Sequence, residues 1–198
     1  MSDASARARI LAAAQDLFQR RGFHAVGLSD ILAVAKAPKG SLYHHFPAGK
    51  DELGARAVEG IAADVTAYIA ARRAEGAGAV DIIGDLAEMS ARRMEQERFG
   101  WSPLIAAVAH QTGADTPLLA QALAGAYAGW RRLLGEAFAD EGFAPEIAQS
   151  LARTAIALLE GAVILARVDR DAAPLRAVQR QTTRLAALER EDRPPTNG

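Results

Sequence analysis

Apolar residues recur at three- and four-residue spacing along almost the whole chain, and no stretch shows the strict alternation or β-branched run that a strand requires. That period predicts an all-α fold of about nine helices. The first, over about 5–21, sets Ile10, Ala14, Leu17 and Phe18 on one stripe. It closes on Arg20, Arg21 and Gly22, with cations at the negative end and glycine at the stop. A short second helix, 28–35, turns Leu28, Ile31, Leu32 and Ala35 inward; the break Lys36-Ala37-Pro38 leads to a third, 39–46. After Pro47-Ala48-Gly49 a longer helix runs from Asp51 to about Tyr68, with Leu53, Ala57, Ile61 and Val65 four apart and Asp51 and Glu52 at its positive end. Beyond the Glu75–Gly78 joint the same logic places helices at 79–97, 103–111, 117–141, 145–169 and 174–190, three of them opened by Pro103, Pro117 and Pro174. There is no internal repeat, and residues 191–198, with Pro194-Pro195, are expected to be a disordered tail.

Several chemistries lack their residues. The 198 residues include no cysteine, which removes disulfides, thiolate metal sites and a cysteine nucleophile. No uncharged apolar run reaches the roughly 20 residues of a membrane span, and no signal-peptide core opens the chain, so a cytoplasmic protein with no membrane contact is expected. Gly76-Ala77-Gly78 has neither a preceding strand nor the third glycine of a nucleotide loop, and His44-His45 has no third ligand nearby. Neither a Gly-x-Ser-x-Gly elbow, a His-Glu-x-x-His helix nor a Walker loop occurs. No catalytic group, cofactor or metal is expected, and a small helical enzyme survives only as an alternative without candidate residues.

The net charge of −1 hides an asymmetry. Residues 1–56 carry eight cations against five anions, +3, which leaves −4 for the remainder, and all three lysines fall in this first part. A basic end on an acidic chain suits a phosphate-binding module. Two short helices joined by a tight turn and braced by a longer one form a helix-turn-helix, whose second helix fits the major groove. Its faces divide accordingly: Leu42 and Phe46 point inward, while Lys39 with Tyr43, and Gly40 with His44, face out. Gly40 lets backbone approach DNA, and Lys39, Ser41, Tyr43, His44 and Lys50 supply donors for phosphates or base edges.

The run Gly22-Phe23-His24, then Gly27-Leu28, then Pro38-Lys39-Gly40-Ser41-Leu42-Tyr43-His44-His45-Phe46-Pro47-Ala48-Gly49-Lys50-Asp51-Glu52-Leu53 resembles the TetR family of transcriptional regulators. It is most similar to the LmrA/YxaF-like branch, which it also resembles in the Gly before Lys50 and in Leu159-Glu160-Gly161-Ala162 with Ala166-Arg167. The resemblance implies a repressor whose second and third helices dock on DNA, whose fourth helix transmits ligand binding and whose last two helices dimerise. Two positions depart from the pattern. Val26 stands where a hydroxyl residue is common, so Gly27 or Ser29 is expected to take over the cap or phosphate contact there. Lys36 stands at a turn position where glycine is usual, at about 1 kcal/mol if the backbone is left-handed.

On these grounds residues 1–50 are assigned to a DNA-binding domain and 51–190 to a helical domain for ligand binding and dimerisation. Both tryptophans and two of the three methionines lie between Val80 and Phe138. Met89, Met94, Trp101, His110, Tyr127 and Trp130 are individually consistent with core packing, yet as a set they suit a pocket for a small hydrophobic effector. Glu160 interrupts the apolar run Ala155–Ala166 as a structural or a ligand-facing carboxylate. That run is apolar nearly all round, and Leu175, Val178, Leu185 and Leu188 form a stripe on the last helix, so helices 145–169 and 174–190 are expected to join a homodimer. The chain then reads as an effector-released repressor on a pseudo-palindromic operator of double-stranded DNA. A helical dimerisation protein with a degenerate DNA-binding head stays open beside it.

Overall fold

Nine helices and no strand are found among the residues that the computed structural model describes, 3–191: α1 (Asp3–Arg21), α2 (Leu28–Ala35), α3 (Lys39–His45), α4 (Gly49–Ala74), α5 (Ala79–Gln96), α6 (Leu104–Ala109), α7 (Pro117–Asp140), α8 (Pro145–Asp169) and α9 (Ala173–Glu191). The all-α expectation holds, and most boundaries fall within two residues of it. The largest difference is α4, which opens at Gly49 and continues six residues past Tyr68 to Ala74. Ion pairs sustain that extra length: Arg72 meets Glu75 at 2.6 Å and Asp85 at 2.9 Å, and Arg73 meets Glu136 and Asp140 at 2.8 and 2.6 Å. Glu191, at the head of the expected tail, belongs to α9; residues 192–198 lie outside the described residues.

The backbone forms two compact units that interleave along the chain. The first takes in the residues up to Val65 and Trp101–Tyr127; the second takes in Thr66–Gly100 and everything from Ala128. In the first, α1 packs on α2, α3 and α6. Ile10, Ala14, Phe18, Val26, Ile31, Leu42, Phe46 and Leu53 are fully buried there. The α1 helix stops because Gly22 takes φ +78° and its N–H returns to the Phe18 carbonyl at 2.9 Å. Phe23 then turns back on Phe18, ring centroids 5.2 Å apart.

In the second unit α9 lies against both α5 and α8. The buried face of α8 is built from alanines, Ala148, Ala152, Ala155, Ala162 and Ala166, with Leu151 and Val163. Small side chains there let α9 bring Leu175, Val178 and Ala186 close. The α9–α5 edge is fixed by Arg176, which grips the two Glu95 carboxylate oxygens at 2.8 and 2.7 Å.

Candidate nucleic-acid interface

The α2–α3 pair is assembled by local rules. Gly27 is the extended residue before α2, and its N–H donates to the Asp30 carboxylate at 3.2 Å, half of a capping box. Val26 contributes no cap. It is fully buried, as is Ile31, and the two occupy the positions of a hydrophobic staple that fixes how the chain enters α2. Ser29 lies exposed in the first turn. At the other end Lys36 adopts φ +48° and ψ +49°, and the N–H of Ala37 reaches back to the Leu32 carbonyl at 3.1 Å. The turn therefore keeps its left-handed geometry with lysine in place of glycine. Arg9 of α1 donates to the Ala35 carbonyl at 3.0 Å, satisfying an acceptor that the helix end leaves unpaired. Neither departure from the family pattern disturbs the two-helix geometry.

Pro38 sets φ at −71° and α3 begins at Lys39. Leu42 and Phe46 are fully buried, and the Arg7 guanidinium stands 5.6 Å from the Phe46 ring centroid. Lys39, Gly40, Tyr43 and His44 are exposed, Tyr43 at 47%, while Ser41 and His45 are half-buried. A Cβ built on Gly40 would meet nothing within 4 Å, so packing inside the chain does not demand glycine there. Gly49 does need its freedom: φ is +69° in the turn from α3 to α4.

Lys50 differs from the other cations of the surface. Its ammonium lies 4.5 Å from the Phe23 ring centroid and 3.5 Å from the His24 carbonyl, and burial holds its pKa below the ordinary value of 10.5. Asp51 and Glu52 both stand in the first turn of α4, as expected, but their partners differ. Glu52 serves the start of α4, accepting the Ala48 N–H at 3.0 Å, whereas the Asp51 carboxylate accepts the N–H groups of Leu118 and Leu119 at 3.0 and 2.9 Å and so caps α7. Sequence spacing carries no sign of that partner.

The candidate effector residues divide between the units. Trp101, His110 and Tyr127 belong to the first, the rings of Trp101 and Tyr127 half-buried and His110 exposed. Met89, Met94 and Trp130 belong to the second; Met94 is wholly inside the apolar face of α5, Met89 is 55% exposed on the other side of that helix, and Trp130 is half-buried. Glu160 is half-buried on α8.

A short helix with a buried apolar side and an outward face of lysine, tyrosine and histidine, set on a tight turn and braced by a longer helix, defines a helix-turn-helix DNA-binding protein. Residues 10–57 match the family described as bacterial regulatory proteins, tetR family, and residues 79–181 match the C-terminal domain of LmrA/YxaF-like transcriptional regulators. An HTH-type transcriptional regulator of Mycobacterium tuberculosis is 34% identical over 193 residues, covering 94% of this chain and 97% of the relative. The HTH-type regulator LmrA of Bacillus subtilis is 31% identical over 180 residues, 88% of this chain and 93% of its own. The crystal structure of a regulatory protein TetR from Rhodobacter sphaeroides superposes with a TM-score of 0.79 at 22% identity, over 91% of this chain and 98% of that one, which speaks to the fold. The chain belongs to the TetR family of transcriptional regulators, which are not enzymes. Among the described residues no helix is long and apolar enough to cross a membrane.

Proposed function

We propose that the protein is a cytoplasmic, effector-released repressor that binds a pseudo-palindromic operator as a homodimer. The observation that carries the DNA-binding part is the outward face of α3, where Lys39, Gly40, Tyr43 and His44 stand exposed above a fully buried Leu42 and Phe46. Gly27 and Ser29 at the start of α2, Ser41, and Lys50 after α3 complete the surface, the backbone N–H groups at a helix start suiting a phosphate. Dimerisation is supported by an apolar face that the chain leaves uncovered on α8 and α9: Ile164, Leu165, Val168 and Leu188 are 46, 53, 73 and 56% exposed. Two such faces meeting about a two-fold axis form an isologous interface, and two-fold protein symmetry calls for two half-sites.

The effector part of the reading is carried by composition, the methionine, tryptophan, tyrosine and histidine side chains between Val80 and Phe138 being of the polarisable and flat kinds that suit a small apolar molecule. Such a molecule releases DNA only by preferring the conformation that binds DNA poorly, and a coupling of about 1–3 kcal/mol is enough for regulation. Residues 1–50 then act as the reading head and 51–190 as the effector and dimer domain, with α4 between them.

Selection of duplexes from a random DNA pool, followed by gel shift with the wild type and with Lys39→Ala, Tyr43→Ala and His44→Ala, tests the reading. A two-half-site duplex should emerge and bind the protein in its dimeric form. Tyr43→Ala and His44→Ala should each cost about 1–3 kcal/mol where they reach bases. Recovery of no preferred duplex, or three variants that bind it as the wild type does, overturns the assignment.

A further inference from the structure

Two grips hold the stretch from Gln111 to the first turn of α7 on residues that flank the DNA-reading helices, and both lie in the first compact unit. The first is His24, in the turn between α1 and α2. Its backbone N–H donates to Gln111 Oε1 at 3.0 Å, and its ring Nε2 lies 2.7 Å from the Gln111 carbonyl. A carbonyl only accepts, so the ring carries its proton on Nε2. Gln111 is itself oriented, donating from Nε2 to the Ala107 carbonyl at 3.0 Å. The second grip is Asp51, in the first turn of α4. Its two carboxylate oxygens each take one N–H from the first turn of α7, that of Leu118 at 3.0 Å and that of Leu119 at 2.9 Å. A carboxylate on two unpaired amides at the positive end of a helix is a charge-assisted bond pair, stronger than two neutral ones. Lys50 sits between the grips, adjacent to Asp51 in sequence with its ammonium 3.5 Å from the His24 carbonyl.

These four hydrogen bonds bracket the α2–α3 pair. His24 precedes α2 by four residues and Asp51 follows α3 by six. Their partners at 111, 118 and 119 lie far along the chain, in the region that carries His110 and precedes Tyr127. We propose that His24 and Asp51 are positioning residues for operator binding: they set both ends of the helix-turn-helix against the α6–α7 segment, so the DNA-competent setting depends on where that segment lies. The inference rests on the DNA-binding reading above and deepens it by naming a route into the head that does not require α4 to tilt along its length. Linkage makes the route reciprocal: a segment that sets the reading helices is itself held more firmly once they are on DNA.

The test uses the full chain and the duplex selected from random DNA. Amide exchange across residues 110–120 is measured free and DNA-bound, with residues 173–191 as the reference for general stabilisation. Operator binding should slow exchange at Leu118 and Leu119 by about fivefold or more, well beyond any change in the reference. Asp51→Ala should abolish that protection and weaken operator binding by about fivefold or more in a protein with wild-type helical content. Asp51→Asn, which keeps a neutral acceptor, should restore part of both. Gln111→Ala should weaken binding while leaving the α7 cap in place, and it carries the test if Asp51→Ala does not fold. Wild-type binding with no selective protection of 110–120 overturns the inference, and so does wild-type affinity in folded Asp51→Ala or Gln111→Ala. Either result leaves the DNA-binding reading standing; failure of the wild type to bind any selected duplex removes both.

Discussion

Lys50 holds its ammonium 4.5 Å from the ring centroid of Phe23, at the foot of the DNA-reading surface. A cation over an aromatic face at a half-exposed site is worth about 0.5–1 kcal/mol, and the charge is kept close to the place a phosphate would occupy. Lys50→Ala should therefore lower unfolding free energy by about that amount. It should also weaken binding to every duplex alike and reduce the slope of log affinity against log salt by about one. Urea melts and a salt titration on two unrelated duplexes check both halves. A loss confined to one sequence would assign Lys50 to base reading instead.

Lys36 occupies the left-handed region at φ +48° with no glycine to relieve it. A Cβ there costs about 1 kcal/mol or more, while glycine gives back part of that gain through a freer unfolded chain. Lys36→Gly should raise stability by up to about 1 kcal/mol, and Lys36→Ala should not. Thermal melts of the two variants decide it. Equal behaviour would mean that the turn pays no strain.

Arg176 sits between Glu95, at 2.7 Å, and Glu88, at 3.3 Å, and ties α9 to α5. Hydrogen bonds to arginine hold both carboxyls below their ordinary 4.5, Glu95 chiefly through Arg176 and Glu88 chiefly through Arg92. A carboxyl whose folded pKa is depressed stabilises fully above the unfolded value and loses that contribution as pH falls through the folded one. Melting temperature should therefore fall between about pH 5 and pH 3 more steeply in the wild type than in Arg176→Gln. Parallel curves for the two proteins would show that the α9–α5 bridge adds nothing.

What the sequence makes legible is what local chemistry decides. Gly22 stops α1, Pro38 and Pro117 stand at helix starts, and the inward Leu42 and Phe46 follow from spacing alone. Partners distant in the chain leave no such trace. Asp51, beside Glu52 at the start of α4, looks like a second dipole partner of that helix, and only the folded chain brings the α7 amides to it. Met89 and Met94 share a helix and a residue type, yet one is exposed and the other wholly enclosed, because five residues correspond to more than one helical turn. The stripe on α9 also divides: Leu175 and Val178 are buried within the unit, Leu185 is half-buried and Leu188 is open. An apolar stripe shows that a face is covered, without saying by which neighbour.

That division locates the charge that should break a dimer without breaking the chain. Leu175 and Val178 pack inside the second unit, so polar substitutions there would unfold it and say nothing about assembly. Ile164 and Val168 are four apart on α8, 46 and 73% exposed, and between Ile164 and Ala157 lies Gly161, where an added Cβ would meet nothing within 4 Å. An Asp at either position stays solvated in a monomer and becomes a buried, unpaired charge in an interface, at a cost of several kcal/mol in each of two symmetric copies. An interface burying over roughly 1,000 Å² in total does not survive that. Ile164→Asp with Val168→Asp should retain wild-type helical content, run as a monomer by light scattering at micromolar concentration, and bind the selected duplex far more weakly than single half-sites would suggest for a dimer. A dimeric mass for the folded double variant would move the interface away from this face of α8.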